Sequence, residues 1–377
     1  MSSYQGIIMT THVSIIGSGN AGLTAAYHLT LQGADVCLYG AKGFDQPLAD
    51  IEANGGITAL ATSNNVELSF AGFQAIDTVT RDLKQAVDYA DVLILPVPSF
   101  AQEPLFRAML PHLKNGQLIM LMPGNYGSLV LNKIKHDEGY HDLDITFVDA
   151  ISIPWATRIV GPAELAILGM KNYLPVAALP ACRTQAAIAR LQPLMPLPLT
   201  ALDNVIMAGL ENINFGGHPL LTTLNMGLLE NFDGQFNYYK DCCSVSTARA
   251  AAVMEKERLA IGQALGLCLT TELDAMNALY SMDCKTVYDT NRTSETHGKL
   301  NSAPNSASNR YITEDAAYLL VPCYEFAQLT GVETPIITAC LHIDNAYNDT
   351  DYFKNGRTLK QMGLEGMLVS DIMAYVA

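Results

Sequence analysis

Charge is scarce in this sequence, and positive charge scarcest. Charged residues occupy 16% of 377 positions, with Lys+Arg 22 against Asp+Glu 37 and a formal net charge of −15. An acidic chain with no Lys/Arg-rich run is a poor partner for nucleic acid or an anionic membrane. A phosphate-bearing ligand must therefore be received by a few local cations or by backbone amides. No apolar run approaches the roughly 18 residues of a membrane span, and the opening MSSYQGIIMTTH lacks the charged and long apolar regions of a secretory signal. The eight cysteines form no CxxC pair, and the adjacent Cys242 and Cys243 do not readily close an unstrained bridge. Reduced thiols packed as small hydrophobes in a cytoplasmic protein are expected. What is plentiful is hydrophobic residues, at 49%: enough for well-filled cores, in a length that suits two or three domains.

The first 180 residues alternate short apolar runs (13–17, 34–39, 91–97, 117–122, 145–150 and 165–169) with helical patterns at 20–32, 98–112 and 128–136. A βαβ rhythm with strands this apolar predicts a mostly parallel sheet buried on both faces, a doubly wound α/β domain. The proline-rich stretch 191–199 breaks the rhythm and reads as a connector. Beyond it, helical patterns dominate at 201–213, 219–231, 244–265, 271–282, 313–330 and 335–346, with Thr271 and Thr313 as candidate N-caps and Gly331 as a helix stop. The residues thus predict a dinucleotide-binding domain at 1–195 and an all-α domain at 196–377, with the cleft between them as the site.

At the chain start, an apolar strand runs into Gly17-Ser18-Gly19-Asn20-Ala21-Gly22 and then a helix. Gly17 permits the tight turn, Gly19 lets the backbone approach a pyrophosphate, and Gly22 allows close helix–strand packing. The phosphates are expected on the helix N-terminus, which answers the shortage of cations. NAD-selective domains place an acid at the end of the second strand. Here that strand ends Leu38-Tyr39-Gly40, with Lys42 close behind and no acid before Asp45. This favours NADP(H), with NAD(H) as the alternative. Pro96-Val97-Pro98-Ser99 and Pro123-Gly124-Asn125 follow two later strands, at carboxyl ends where this architecture binds ligands; ordinary turn chemistry explains them equally well.

Of the eight histidines, His218 has the most telling setting, Asn214-Phe215-Gly216-Gly217-His218-Pro219, which places it at a helix start. An imidazole there needs a carboxylate partner to act as a proton donor. The segment Asn309-Arg310-Tyr311-Ile312-Thr313-Glu314-Asp315 offers one. Arg310 suits a two-pronged bond to a substrate carboxylate, and Asp315 suits the orientation of His218. A surface Arg–Glu pair on a capped helix accounts for the same residues.

Together the layout, the GGHP segment and RYITEDAAYLLVP resemble the opine dehydrogenases of the octopine/nopaline type, over nearly the whole chain, including Gly331 to Pro335 and Gly356-Arg357-Thr358-Leu359. The resemblance implies a Rossmann domain joined to the family's helical domain. It also implies NAD(P)H-dependent reductive condensation of a 2-oxo acid with the amine of an amino acid through an imine. By motif, His218 and Asp315 match the family's His–Asp dyad and Arg310 its carboxylate-binding arginine. Asn125 falls where relatives carry glutamine. Pro154-Trp155-Ala156-Thr157-Arg158 matches a segment in which some relatives have Cys at the Thr157 position, so Asn125 and Thr157 join the expected substrate site. Small-molecule substrates, no metal, and a monomer or homodimer complete the expectation. Two other readings compete. One is a ketopantoate- or glycerol-phosphate-type reductase, which would need a catalytic lysine where only Lys171 and Lys240 stand; the other is a non-catalytic NADP-binding sensor.

Overall fold

The computed structural model describes residues 11–62, 70–294 and 303–377. Residues 1–10 of the opening segment, and His297, lie outside them. The strands in chain order are β1 His12–Ile16, β2 Asp35–Tyr39, β3 Ile57–Leu60, β4 Gly72–Gln74, β5 Thr78–Thr80, β6 Val92–Leu95, β7 Leu118–Leu121, β8 Thr146–Ala150, β9 Trp155–Gly161, β10 Glu164–Met170, β11 Leu174–Leu179 and β12 Leu199–Ala201. Eight form one sheet in the order β12-β11-β8-β7-β6-β1-β2-β5, parallel throughout except where β11 runs against β8. Its central strands are buried along their length, as their unbroken apolar runs require. The strand order reverses beside β1, and the glycine loop leaves from there.

Two expectations need correction. The run 165–169 is a strand, but β10 lies in a separate four-stranded sheet, β4-β3-β10-β9. A tight turn with Ala163 at φ 53 folds it back on β9, and this local antiparallel partner takes it out of the main sheet. This second sheet packs on the helix Asn20–Leu31, where Thr24 meets Thr157 and His28 accepts a bond from Trp155. The proline-rich stretch is not an open connector either. Its Leu194, Met195 and Leu197 are buried, and its end becomes β12 at the sheet edge, where prolines just outside the ladder cost little. The sheet of the first unit thus continues to Ala201.

The second unit is helical. Ser244 caps Val245–Ala264 and Thr271 caps Glu272–Tyr280 through side-chain bonds to backbone amides, and Gly331 ends Val321–Thr330 in the left-handed region at φ 74. The pattern at 219–231 is split at Asn225 into Pro219–Leu224 and Met226–Asn231. Thr313 is not a cap: Asn309 accepts from the Tyr311 amide, so the helix begins at Arg310 and runs Arg310–Asp315 into a π turn, Ala316–Leu320. One core lies on the face of the main sheet that meets the second sheet. The other runs from the opposite face into the helical unit, taking in Ile119, Tyr126, Ile206, Ile312 and Phe326. The two units therefore share a hydrophobic interior. Of the cysteines, Cys37, Cys242, Cys243, Cys323 and Cys340 are buried small hydrophobes, whereas Cys182 and Cys268 are exposed; all eight are unbridged. No helix of the described residues is long and apolar enough to cross a membrane.

Candidate active site

The glycine loop is built for a ligand's phosphates. Gly17, at φ +137, donates its amide to Tyr39, and a Cβ there would stand 2.6 Å from Val97. A Cβ on Gly22 would stand 1.8 Å from the Gly17 carbonyl oxygen, so the helix cannot approach the strand this closely with any other residue. A Cβ on Gly19 would meet nothing within 4 Å. That open side is the approach a pyrophosphate needs, and the first amides of Asn20–Leu31 have no side-chain cap. Asn20 accepts from the Ile159 amide at 2.6 Å, tying the loop to β9, and the buried Ser18 sits beneath the turn. Pro96 is buried at the end of β6, its ring 3.8 Å from the position of a Gly22 Cβ. These features fit a dinucleotide. At the end of β2, Lys42 is exposed. Nearby Arg81, following β5, pairs with Glu52 at 2.7 Å and Asp45 at 3.7 Å.

His218 and Asp315 meet. Pro219 opens the helix Pro219–Leu224 with His218 as its cap, and Asp315 ends Arg310–Asp315, so the two side chains reach each other across that helix pair with Nδ1 to Oδ2 at 2.8 Å. Both are buried, at 7% and 4% exposure. Nε2 of His218 lies 3.0 Å from the Tyr239 hydroxyl, and the Tyr311 ring stacks on the imidazole at 3.7 Å and 9°. Burial and the Arg310 guanidinium push the imidazole down to about 3, opposed by Glu314. Burial, aided by Glu314, raises the Asp315 carboxyl well above the carboxylate range. Each partner alone resists charging. A carboxylate–imidazolium pair and its neutral counterpart carry the same net charge, so the couple exchanges a proton internally at less cost than either group would bear alone.

A chain of polar contacts links this pair to the ends of β6 and β7. Glu314, 2% exposed, accepts from the Ser99 amide at 2.9 Å and from its hydroxyl at 3.1 Å, at the start of the helix Ser99–Met109. Its other oxygen lies 3.0 Å from Arg310, whose side chain is half exposed. Asn125 donates to Ser99 at 2.8 Å and accepts from Asn212 at 2.6 Å. Arg357 is wholly buried beneath them. It donates to the backbone oxygens of Asn125 and Ser99 and to Gln102, and lies 4.7 Å over the Tyr318 ring.

The fold thus gathers His218, Asp315, Arg310 and Asn125 into one region beside the ends of β6 and β7. Thr157 does not join them. Its hydroxyl is spent on Thr24 at 2.7 Å and on the Ala166 carbonyl, because on β9 it faces the helix beneath the glycine loop. Strand alternation turns the next residue, the exposed Arg158, the other way. Burial pushes the Tyr311 phenol pKa up, and the charges of Arg158 and Arg310 both oppose that rise. Sequence reasoning missed Tyr239, Tyr311, Glu314, Ser99, Arg158 and Arg357. Glu314 and Tyr311 sat inside the segment already singled out, and Arg158 in the segment carrying Thr157. Ser99 and Arg357 also sat in segments singled out above, without a role; nothing local marked Tyr239. Neither lysine suits the reductase reading: Lys171 is buried with its ammonium on the Ile153 carbonyl, and Lys240 is exposed.

Residues 201–348 match the family model described as NAD/NADP octopine/nopaline dehydrogenase, alpha-helical domain. Residues 12–93 match that of an FAD binding domain, which uses the same glycine signature. An opine dehydrogenase of Arthrobacter sp. (strain 1C) is 29% identical over 96% of this chain and 98% of its own length. A solved octopine dehydrogenase in complex with NADH and agmatine superposes with TM-score 0.76 at 19% identity, covering 97% of this chain and 98% of that one. A solved yersinopine dehydrogenase bound to NADP+ superposes with TM-score 0.68 at 16% identity, covering 97% and 98%.

Proposed function

We propose that this chain is an opine dehydrogenase, an NAD(P)-dependent oxidoreductase acting on CH–NH bonds, and that it joins a 2-oxo acid to an amino acid through an imine with His218 and Asp315 handling the protons. The observation that carries the dyad is the 2.8 Å contact between two buried side chains 97 positions apart, of which Asp315 is on the helix that also bears Arg310. The reduced nicotinamide, when bound, supplies the hydride. Arg310 receives the carboxylate of the 2-oxo acid by its guanidinium fork. Glu314 holds Arg310 from behind and aims it, and Asn125 offers an amide beside Ser99 for a substrate carbonyl. His218 moves protons at Nε2, while Asp315 fixes the tautomer at Nδ1. The product carries two carboxylates, and Arg158 supplies a second cation from the opposite unit. The family's two-unit division is proposed to fall after β12.

The reading is tested by crossing amino acids with pyruvate, oxaloacetate and 2-oxoglutarate, following NAD(P)H oxidation and weighing the products. Amine-dependent oxidation yielding the N-carboxyalkyl amino acid is expected. Oxidation by keto acid alone would move the assignment to a reductase.

The cofactor is proposed to be NADP(H), on the absence of an acid at the end of β2 and the exposure of Lys42 there. A charge-assisted contact of about 1.5–3 kcal/mol is at stake. Lys42→Ala is therefore expected to weaken NADPH binding about tenfold or more and leave NADH binding unchanged, as read by fluorescence titration. Equal effects on both would assign Lys42 no part in the choice. Action in the cytoplasm is proposed with it, where a reduced cofactor and unbridged thiols persist together.

A further inference from the structure

His218 is poorly placed to touch a substrate. Asp315 occupies Nδ1, the Tyr239 hydroxyl occupies Nε2 at 3.0 Å, and Tyr311 covers a ring face at 3.7 Å. Its backbone carbonyl is held as well, by Tyr238 at 2.9 Å and by Thr222 at 2.7 Å. Presenting Nε2 directly would displace the Tyr239 hydroxyl from it. Tyr239 lies in the short helix Tyr238–Asp241 and is itself buried, at 9% exposure, and its hydroxyl also meets that of the half-buried Tyr311. Tyr311 follows Arg310 directly, so the phenol pair lies on the Arg310 side of the imidazole.

We infer that Tyr239 is the group through which protons pass between the substrate and His218, a role that rests on the dyad reading above. In the first half, the ammonium group of the amino substrate gives a proton to the Tyr239 oxygen as the Tyr239 proton moves to Nε2. The free amine, the neutral phenol and an imidazolium held by the Asp315 carboxylate remain. The amine attacks the oxo carbon, its surplus proton passing to the oxygen, and a carbinolamine forms. In the second half, Nε2 returns its proton to Tyr239, which gives its own to the carbinolamine hydroxyl. The C–O bond breaks, water leaves, and the nitrogen lone pair closes the C=N bond of an iminium ready for hydride. No proton is gained or lost by the enzyme over the two halves. Stacked Tyr311 keeps water off the imidazole between them.

The test uses the full-length enzyme, pyruvate and whichever amino acid gives the highest turnover in the screen. Tyr239→Phe removes only the hydroxyl. Its single-turnover rate of NAD(P)H oxidation is expected to fall about 100-fold, with NAD(P)H affinity and thermal midpoint near wild type. A rate within threefold of wild type overturns the relay. If His218→Gln is then inactive, the dyad stands and the imidazole acts directly; if His218→Gln is also active, the dyad reading itself fails. Should Tyr239→Phe not fold, 2,3-difluorotyrosine at 239 keeps the size and makes the phenol more acidic. A rate change above threefold supports the relay, and an unchanged rate overturns it.

Discussion

Asp315→Asn lowers turnover about 10²–10⁴-fold, the range general acid–base assistance supplies, while the dissociation constant for NAD(P)H stays near its wild-type value. The split follows from position. Asp315 bonds His218 in the helical unit, whereas the glycine loop lies in the first unit. The amide is nearly the same size as the carboxyl, so the buried pocket around Ile312 and Ala316 is not emptied. What changes is charge and tautomer: a neutral amide cannot balance an imidazolium and can present its NH2 to Nδ1, which places the imidazole's own proton on Nε2. Burial already pushes this imidazole down to about 3, and without the carboxylate at Nδ1 only Glu314 is left to oppose that. Pre-steady-state rates beside cofactor titrations provide the check. A variant with normal turnover would remove Asp315 from the chemistry, and one that lost cofactor binding would make its role structural.

Arg310→Leu raises KM for the 2-oxo acid about 10–100-fold or more, the factor for losing a charged hydrogen bond of about 1.5–3 kcal/mol, with NAD(P)H binding again unaffected. Arg310 is half exposed and its contact with Glu314 uses one side of the guanidinium, which leaves the rest of the fork for a ligand. Arg310→Lys is expected to recover only part of the loss, since an ammonium keeps the charge without the planar fork. Initial-rate measurements at varied oxo acid decide the matter. An unchanged KM in Arg310→Leu would hand the carboxylate to Arg158, and Arg158→Leu would then show the rise instead.

The parts legible in the sequence were those whose causes are local. Gly17, Gly19 and Gly22 announce a loop because each lacks a side chain at a place where one would collide or block access. Pro219 announces a helix start, and His218 before it follows. The unbroken apolar runs of β6 and β7 announce strands covered on both faces. What could not be read depended on partners distant in sequence. Glu314 and Ser99 are 215 positions apart, and Arg357 reaches Asn125 across 232; no periodicity encodes such pairs. The second sheet was missed because β3 and β4 are short and β10 is as apolar as a Rossmann strand, its membership decided by the hairpin with β9. Thr157 was taken for a ligand group from its segment, when the pleat aims it at Thr24 and aims Arg158 outward. The helix at Arg310 was started three residues late because Thr313 and Asn309 are both good caps and only the folded chain chooses between them.

Glu314 stands at a junction that has a thermodynamic corollary. One carboxylate seats the helical unit on the first amide of Ser99–Met109 and also holds the guanidinium proposed to meet the oxo acid. An incoming anion competes for that guanidinium and thereby alters how firmly the carboxylate grips the other lobe. By reciprocity of linked equilibria, whatever tightens or slackens the seat must change affinity for the anion by the same factor. The grip of Glu314 on Ser99 and the proposed capture of the oxo acid are then two readouts of a single equilibrium, and strain applied at either end is felt at the other.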